Sequence, residues 1–221
     1  MKNNSMPYIN KKDIENKSNS VLEKFSKTND IDYCNVPVID ILEFLGYDID
    51  FRDDGIYSDP DVLGGLIEKT KTVELNAILE KQPGRLNFTI AHEIGHIVLH
   101  SDGNSKSFNR KIEGCNDDFK AVKKDPIEVQ ADMFAASLLM PSEAVIKSFY
   151  NAYITPVNVS KRSFSEYIFP RSKKSKMFRA VNRIQSLGSF QNVSKTALIN
   201  RLIGLRLLKG IDFQKNKIKE Y

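Results

Sequence analysis

Residues 88–100 read Phe88-Thr89-Ile90-Ala91-His92-Glu93-Ile94-Gly95-His96-Ile97-Val98-Leu99-His100, and no other stretch limits the fold as tightly. Apolar residues at Phe88, Ala91, Ile94, Ile97 and Val98 recur with the helical period, which predicts a mostly buried helix beginning near Asn87 or Thr89. On such a helix His92 and His96 stand one turn apart and can turn both imidazoles toward one ion, with Glu93 beside them to hold a water. That is the arrangement of a zinc hydrolase. Histidine occurs only three times in the chain, which weighs against a chance pairing. The competing reading is a core helix carrying two hydrogen-bonded histidines. His100 lies about 12 Å along the axis from His92, too far for all three rings to meet at one ion with bonds of about 2 Å. It is assigned a structural role, closing the helix before Ser101-Asp102-Gly103.

A catalytic zinc site commonly has three protein ligands and keeps one position for water. With no usable histidine left, the third donor must be a carboxylate or another kind of residue. Glu128 is the leading candidate: it follows His96 by 32 residues and falls on a helix announced by Asp125-Pro126 and running to Met140. Small residues on that helix, Ala131, Ala135 and Ala136, permit close packing against Gly95. Asp132, one turn after Glu128 and on the same face, can accept the second N–H of a ligating histidine and fix its tautomer. Against this, a carboxylate near a helix start is also favoured by the macrodipole alone. Glu113, Asp117 and Asp118 remain alternative ligands in the polar stretch 101–125, which reads as a long loop able to flank or cover the site.

Elsewhere the pattern is of helices around a small sheet. A polar segment with Ile14, Val21, Leu22 and Phe25 at helical spacing predicts an amphipathic helix over 8–25. Pro37 and Gly46 bracket a short helix, and alternation at Tyr47, Ile49 and Phe51 predicts a half-buried strand. The turn Asp53-Asp54-Gly55 should return Ile56-Tyr57 as its hairpin partner. Leu63–Ile67 and Thr72–Leu79 read as two more strands, completing a small antiparallel sheet, and Lys81-Gln82-Pro83-Gly84 as the loop into the histidine helix. An edge strand of such a sheet can hold an extended peptide by main-chain hydrogen bonds. Pro141 should start a further helix reaching about Tyr150.

The fold class is therefore α+β: a small antiparallel sheet packed on helices that carry the metal site, followed by a helical C-terminal region. The expected division is a helical extension over 1–35, a core over 36–155 and a basic helical region over 156–221. Residues 1–150 carry 18 Lys+Arg against 25 Asp+Glu, whereas residues 151–221 carry 15 against 3. That asymmetry is either a solvated surface or a patch for an acidic partner or nucleic acid. The opening residues lack an apolar run that could serve as a signal peptide, and nowhere do eighteen apolar residues occur together, so a cytoplasmic protein without membrane contact is expected. Cys34 and Cys115 lie in no metal-binding spacing and read as free thiols.

The run Arg85-x-Asn87-Phe88-Thr89-Ile90-Ala91-His92-Glu93-Ile94-Gly95-His96, followed by Glu128-x-x-Ala131-Asp132-x-Phe134-Ala135-Ala136-x-Leu138-Leu139-Met140-Pro141, resembles the ImmA/IrrE family of metallopeptidases. The resemblance extends over roughly 36–205 and is strong over 85–141. It implies a zincin-like core, a metal held by His92, His96 and Glu128, and Glu93 as catalytic base. Family members typically partner helix-turn-helix transcriptional repressors, which they cleave or inactivate, often on mobile genetic elements or in stress responses. The segment Phe190–Leu202 also resembles the family's C-terminal part, with Ser194 capping a short helix; that helix also looks like half of a helix-turn-helix, or packs Ala197, Leu198, Leu202 and Leu205 on the core.

The expected chemistry is peptide-bond hydrolysis: a zinc ion, or manganese or iron with similar donors, activates water and carbonyl while Glu93 moves the proton. Tyr150, Tyr153 and Arg85 are candidates for the oxyanion. The alternative is a regulator that binds DNA through the basic C-terminal region, or sequesters a repressor, without proteolysis.

Overall fold

The computed structural model describes residues 9–59, 61–100, 108–111, 125–161 and 171–211. The chain divides into two compact units, residues 1–32 with 36–139, and residues 33–35 with 140–221. Among the described residues no helix is long and apolar enough to cross a membrane.

In the first unit, helix α1 (Lys11–Ser26) opens on Asn10, whose side chain accepts the Asp13 N–H at 2.9 Å, and buries Ile14, Val21, Leu22 and Phe25 as its spacing predicts. Helix α2 (Val38–Phe44) follows Pro37, and its Phe44 ring meets Phe25 edge-on at 5.5 Å. The chain then forms strands β1 (Asp48–Arg52), β2 (Val62–Ile67) and β3 (Thr72–Asn76), helix α3 (Pro83–His100), strand β4 (Phe108–Lys111) and helix α4 (Pro126–Leu139). Helix α3 lies against α2, α4 and β2, and α1 lies against α4. That enclosure explains why α3 is buried on every side from Thr89 through His96, beyond the single stripe its period implies.

The sheet has the order β1-β3-β2-β4. Its β2/β3 pair is antiparallel as expected, and β2 also pairs antiparallel with β4, a strand the sequence did not announce, but β1 runs parallel to β3, with Asp48 opposite Thr72 and Arg52 opposite Asn76. The predicted hairpin at Asp53–Tyr57 does not form. Residues Gly55–Ser58 take a 3-10 turn that buries the Tyr57 ring, so the chain crosses over before β2 begins. The strand predicted over Thr72–Leu79 is also shorter than its apolar run: after Asn76 the backbone enters a 3-10 helix, Ala77–Lys81, capped by the Asn76 side chain on the Ile78 N–H at 3.0 Å. The Asn76 amide group donates to the carbonyls of Tyr57, Asp59 and Val62, which ties the crossover to the sheet.

The stretch 81–84, expected as a loop, is instead shared between two helices: Lys81 ends the 3-10 helix, Gln82 links them, and Pro83 and Gly84 open the first turn of α3. Proline is well suited to that position because the N–H it lacks would have no helical partner there, and the Gln82 carbonyl accepts from Arg85 and Leu86 at 2.9 Å each. The backbone of 108–111, expected within a long loop, is strand β4; the rest of 101–124, with Glu113, Cys115, Asp117 and Asp118, lies outside the described residues. Asp125 caps α4 as its sequence predicts, its carboxylate accepting the Ile127 N–H at 2.9 Å.

The second unit holds α5 (Ser142–Ala152), β5 (Val157–Asn158), α6 (Lys173–Ser186), α7 (Lys195–Gly204) and β6 (Leu208–Lys209), with β5 and β6 paired in parallel. Its core gathers Phe149, Val181, Ile184, Phe190, Leu198 and Leu202. Ser172 and Ser194 cap α6 and α7. Buried Arg201 donates from Nε to the Met140 carbonyl at 2.9 Å and from Nη2 to Ser142 Oγ at 3.0 Å, which ties α7 to the residues that lead into α5. The Cys34 thiol lies 3.3 Å from Ser148 Oγ and forms no disulfide among the described residues. Among the described residues of this unit Glu143 is the one acid, so the basic character of the C-terminal region persists in the folded unit.

Candidate metal centre

Helices α3 and α4 lie in tight contact at Gly95. A Cβ built there would lie 3.1 Å from Ala131 Cα, 3.1 Å from the Ala131 carbonyl oxygen and 3.3 Å from Phe134 Cβ. Any side chain would therefore wedge the two helices apart. The contact brings His92 and His96, on either side of Gly95, against Glu128 and Asp132, on either side of Ala131.

His92 Nδ1 stands 2.8 Å from Asp132 Oδ1. A carboxylate only accepts, so Nδ1 carries the hydrogen and Nε2 of the neutral ring is left with a bare lone pair. That Nε2 lies 3.1 Å from Glu128 Oε2 and 3.0 Å from His96 Nε2, and His96 Nε2 lies 3.3 Å from Glu128 Oε1. Donor atoms of the three residues all fall within 4.8 Å of one another. Lone pairs and a carboxylate facing each other repel unless a proton or cation sits among them. A tetrahedral ion with bonds of about 2.0–2.1 Å would hold its ligand atoms roughly 3.3 Å apart, so the observed 3.0–3.3 Å separations suit one. Two imidazoles and a carboxylate are also a donor set that zinc, manganese and iron accept.

The protonation states suit ligation. Burial pushes the Glu128 carboxyl upward, but when the facing His92 and His96 rings carry a proton on Nε2, their hydrogen bonds and charge outweigh it and hold the group well below the usual carboxylate range. Burial pushes His96 down from the ordinary 6.5 against the pull of Glu128, and pushes His100 down against its hydrogen bond to Gln130. At neutral pH both rings are neutral and Glu128 is ionised.

Glu93 is fully buried on α3, next in sequence to His92. Tyr57 senses it. Burial first, then a hydrogen bond to Glu74 and the charges of Glu74 and Glu93, raise the phenol above its ordinary value. Neither Tyr57 nor Glu74 stood out in the sequence, because Tyr57 reads there as a strand residue and only the crossover brings it inward. His100 reaches back to His96, Nδ1 to Nδ1 at 3.2 Å, while its Nε2 meets Gln130 Oε1 at 3.1 Å. It is thus held away from the donor set, as its distance along the helix requires, yet it touches a member of that set. Of the residues considered for an oxyanion, Arg85 is exposed and donates to Gln82 Oε1 at 3.2 Å. Tyr150 and Tyr153 belong to the second unit, where Tyr153 stacks on Phe149 at 5.2 Å beneath the Arg183 guanidinium at 5.0 Å.

The sequence model of the IrrE N-terminal-like domain matches residues 46–162, more than half of the chain. The chain belongs to this family. Its match runs from the start of the sheet past α5 and so includes both helices that carry the converging donors. A related protein, metallopeptidase ImmA of Bacillus subtilis (strain 168), is 26% identical over 186 residues, spanning 82% of this chain and 89% of that protein. Membership in the IrrE-like family places the chain among metallopeptidases, hydrolases that use a metal ion and act on a protein substrate. The zincin-like α+β core expected from the sequence agrees with it.

Proposed function

We propose that the chain is a zinc endopeptidase that hydrolyses a peptide bond in a helix-turn-helix repressor and so relieves repression. The observation that carries this reading is the convergence of His92 Nε2, His96 Nε2 and the Glu128 carboxylate within 4.8 Å, with Asp132 holding the far nitrogen of His92. In this reading His92, His96 and Glu128 hold the ion. A bound divalent cation supplies Lewis acidity, lowering the pKa of water and polarising the scissile carbonyl.

The remaining work falls to the protein. Glu93 takes the proton of the attacking water as its oxygen bonds to the carbonyl carbon, then delivers that proton to the leaving amine as the C–N bond breaks. Glu93 is fully buried beside His92, so the proton it carries is shielded from exchange with bulk water. Asp132 keeps His92 in the ligating tautomer. The substrate class rests on the likeness of both motifs to a family whose members act with such repressors. The basic second unit suits an acidic face on the partner.

The test joins metal analysis of the purified protein with incubation against a helix-turn-helix repressor encoded beside it, with and without chelator. One zinc per chain and repressor fragments that vanish on chelation are expected. Glu93→Gln should keep the zinc and lose cleavage by about 100-fold or more. Undiminished fragments from Glu93→Gln would refute the assignment of the base, and binding of intact repressor with no fragments would favour sequestration over proteolysis.

A further inference from the structure

We propose that Gln130 and His100 act as positioning residues, forming a hydrogen-bonded line that sets the tautomer of His96 and aims its Nε2 lone pair at the metal-binding donors. The inference rests on the metal-site reading above and assigns work to two residues which that reading leaves idle.

The line has three links. Gln130 Oε1 lies 3.1 Å from His100 Nε2, His100 Nδ1 lies 3.2 Å from His96 Nδ1, and His96 Nε2 lies 3.0 Å from His92 Nε2 and 3.3 Å from Glu128 Oε1. Two ring nitrogens facing each other at 3.2 Å need one hydrogen between them, and the far end decides which ring carries it. An amide oxygen can only accept, so His100 Nε2 bears its hydrogen. A neutral imidazole has one, so His100 Nδ1 is an acceptor and the shared hydrogen belongs to His96 Nδ1. His96 Nε2 is then bare, as a metal ligand requires.

The two ligating histidines are thus fixed by different partners, His92 directly by a carboxylate and His96 through a second ring by an amide. The line is dry: His96, His100 and Gln130 are 1%, 5% and 5% exposed, so bulk water offers no competing partner. It also has a sense of direction. Were the Gln130 amide turned over, its NH2 would donate to His100 Nε2 and every link would reverse. His96 would then end with Nε2–H, able to donate to Glu128 and unable to ligate. The orientation of one side-chain amide on α4 therefore decides whether a ligand on α3 is competent.

The test uses the full chain in three forms: wild type, Gln130→Leu, which removes the acceptor at similar size, and Gln130→Glu, which accepts from either oxygen. Zinc affinity is read by competition with a chromophoric chelator, and the His96 tautomer by nitrogen-15 NMR of the metal-free protein. Gln130→Leu should weaken zinc binding by about 10- to 100-fold, and Gln130→Glu should restore it. Metal-free wild type should show His96 with its hydrogen on Nδ1. An Nε2–H signal in wild type, or Gln130→Leu binding zinc as tightly as wild type, overturns the proposal. A wild type that binds no zinc at all would instead defeat the metal-site reading, and the tautomer signal would still decide the line by itself.

Discussion

The close approach of α3 and α4 makes Gly95→Ala the most revealing single substitution. The new Cβ would meet two backbone atoms of Ala131 at 3.1 Å and Phe134 Cβ at 3.3 Å. Ordinary carbon contacts begin near 3.5 Å, so the helices must separate by about 0.4 Å. Backbone atoms cannot swing aside as a side-chain tip can. The strain should cost about 1–3 kcal/mol, offset by about 1 kcal/mol of helix propensity gained on replacing glycine. A net loss near 1 kcal/mol lowers the melting temperature of a chain this size by about 2–4 °C. The effect on the donors should be larger in proportion. The contacts of 3.1 and 3.3 Å between Glu128 and the two imidazoles bridge the same two helices. A shift of about 0.4 Å there exceeds the tolerance of about 0.2 Å expected of metal–ligand distances. Zinc affinity should therefore fall by about tenfold or more, equivalent to roughly 1.4 kcal/mol. Thermal melting of the metal-free protein and a zinc competition titration measure the two effects separately. A Gly95→Ala protein that melts higher than wild type and binds zinc equally well would show that propensity alone operates and that the helices have room to spare.

Three other perturbations follow from the geometry. Asp132→Ala should weaken zinc binding by about 10- to 100-fold while leaving Glu93 and the three donors in place, as read by the same titration. In the metal-free protein, His96 and His100 bind protons less readily than in the unfolded chain, where their value is near 6.5. Stability should hold above pH 6.5 and fall as pH drops below it, until both rings are protonated in the folded state; urea titrations at stepped pH check the slope, and a flat profile would contradict the buried neutral rings. Arg201→Met should destabilise the second unit by about 1–3 kcal/mol, because it strips the Met140 carbonyl and Ser142 of a buried charged donor. A denaturant midpoint unchanged by that substitution would count against the link.

The site was more legible in the sequence than the sheet, for a physical reason. His92, His96, Glu128 and Asp132 are placed by helical repeats of one turn on two helices, and Gly95 with Ala131 signals where those helices touch. The partner of β1 is a different matter. Asp48 pairs with Thr72, beyond an intervening strand, and no local turn records such a pairing. Pro83-Gly84 reads as a loop because both residues break helices in the middle, yet proline is welcome in a first turn, so α3 begins earlier than its apolar period suggests. His100 carried a usable signal. Its one-turn spacing from His96 already put the two rings in reach, although its distance from His92 barred it from the ion. Gln130 carried none, since an amide two residues from Glu128 acquires its role only when α4 lies along α3.

A zinc enzyme of this design holds its ion at one point in space, the gap enclosed by His92 Nε2, His96 Nε2 and the Glu128 carboxylate. Anomalous diffraction recorded on either side of the zinc edge, from crystals of the protein purified without added metal, locates any zinc directly. One peak is expected, about 2.0–2.2 Å from an atom of each of the three side chains. A strong peak elsewhere with none at this point, or an ion held by the imidazoles while Glu128 turns away, would contradict it.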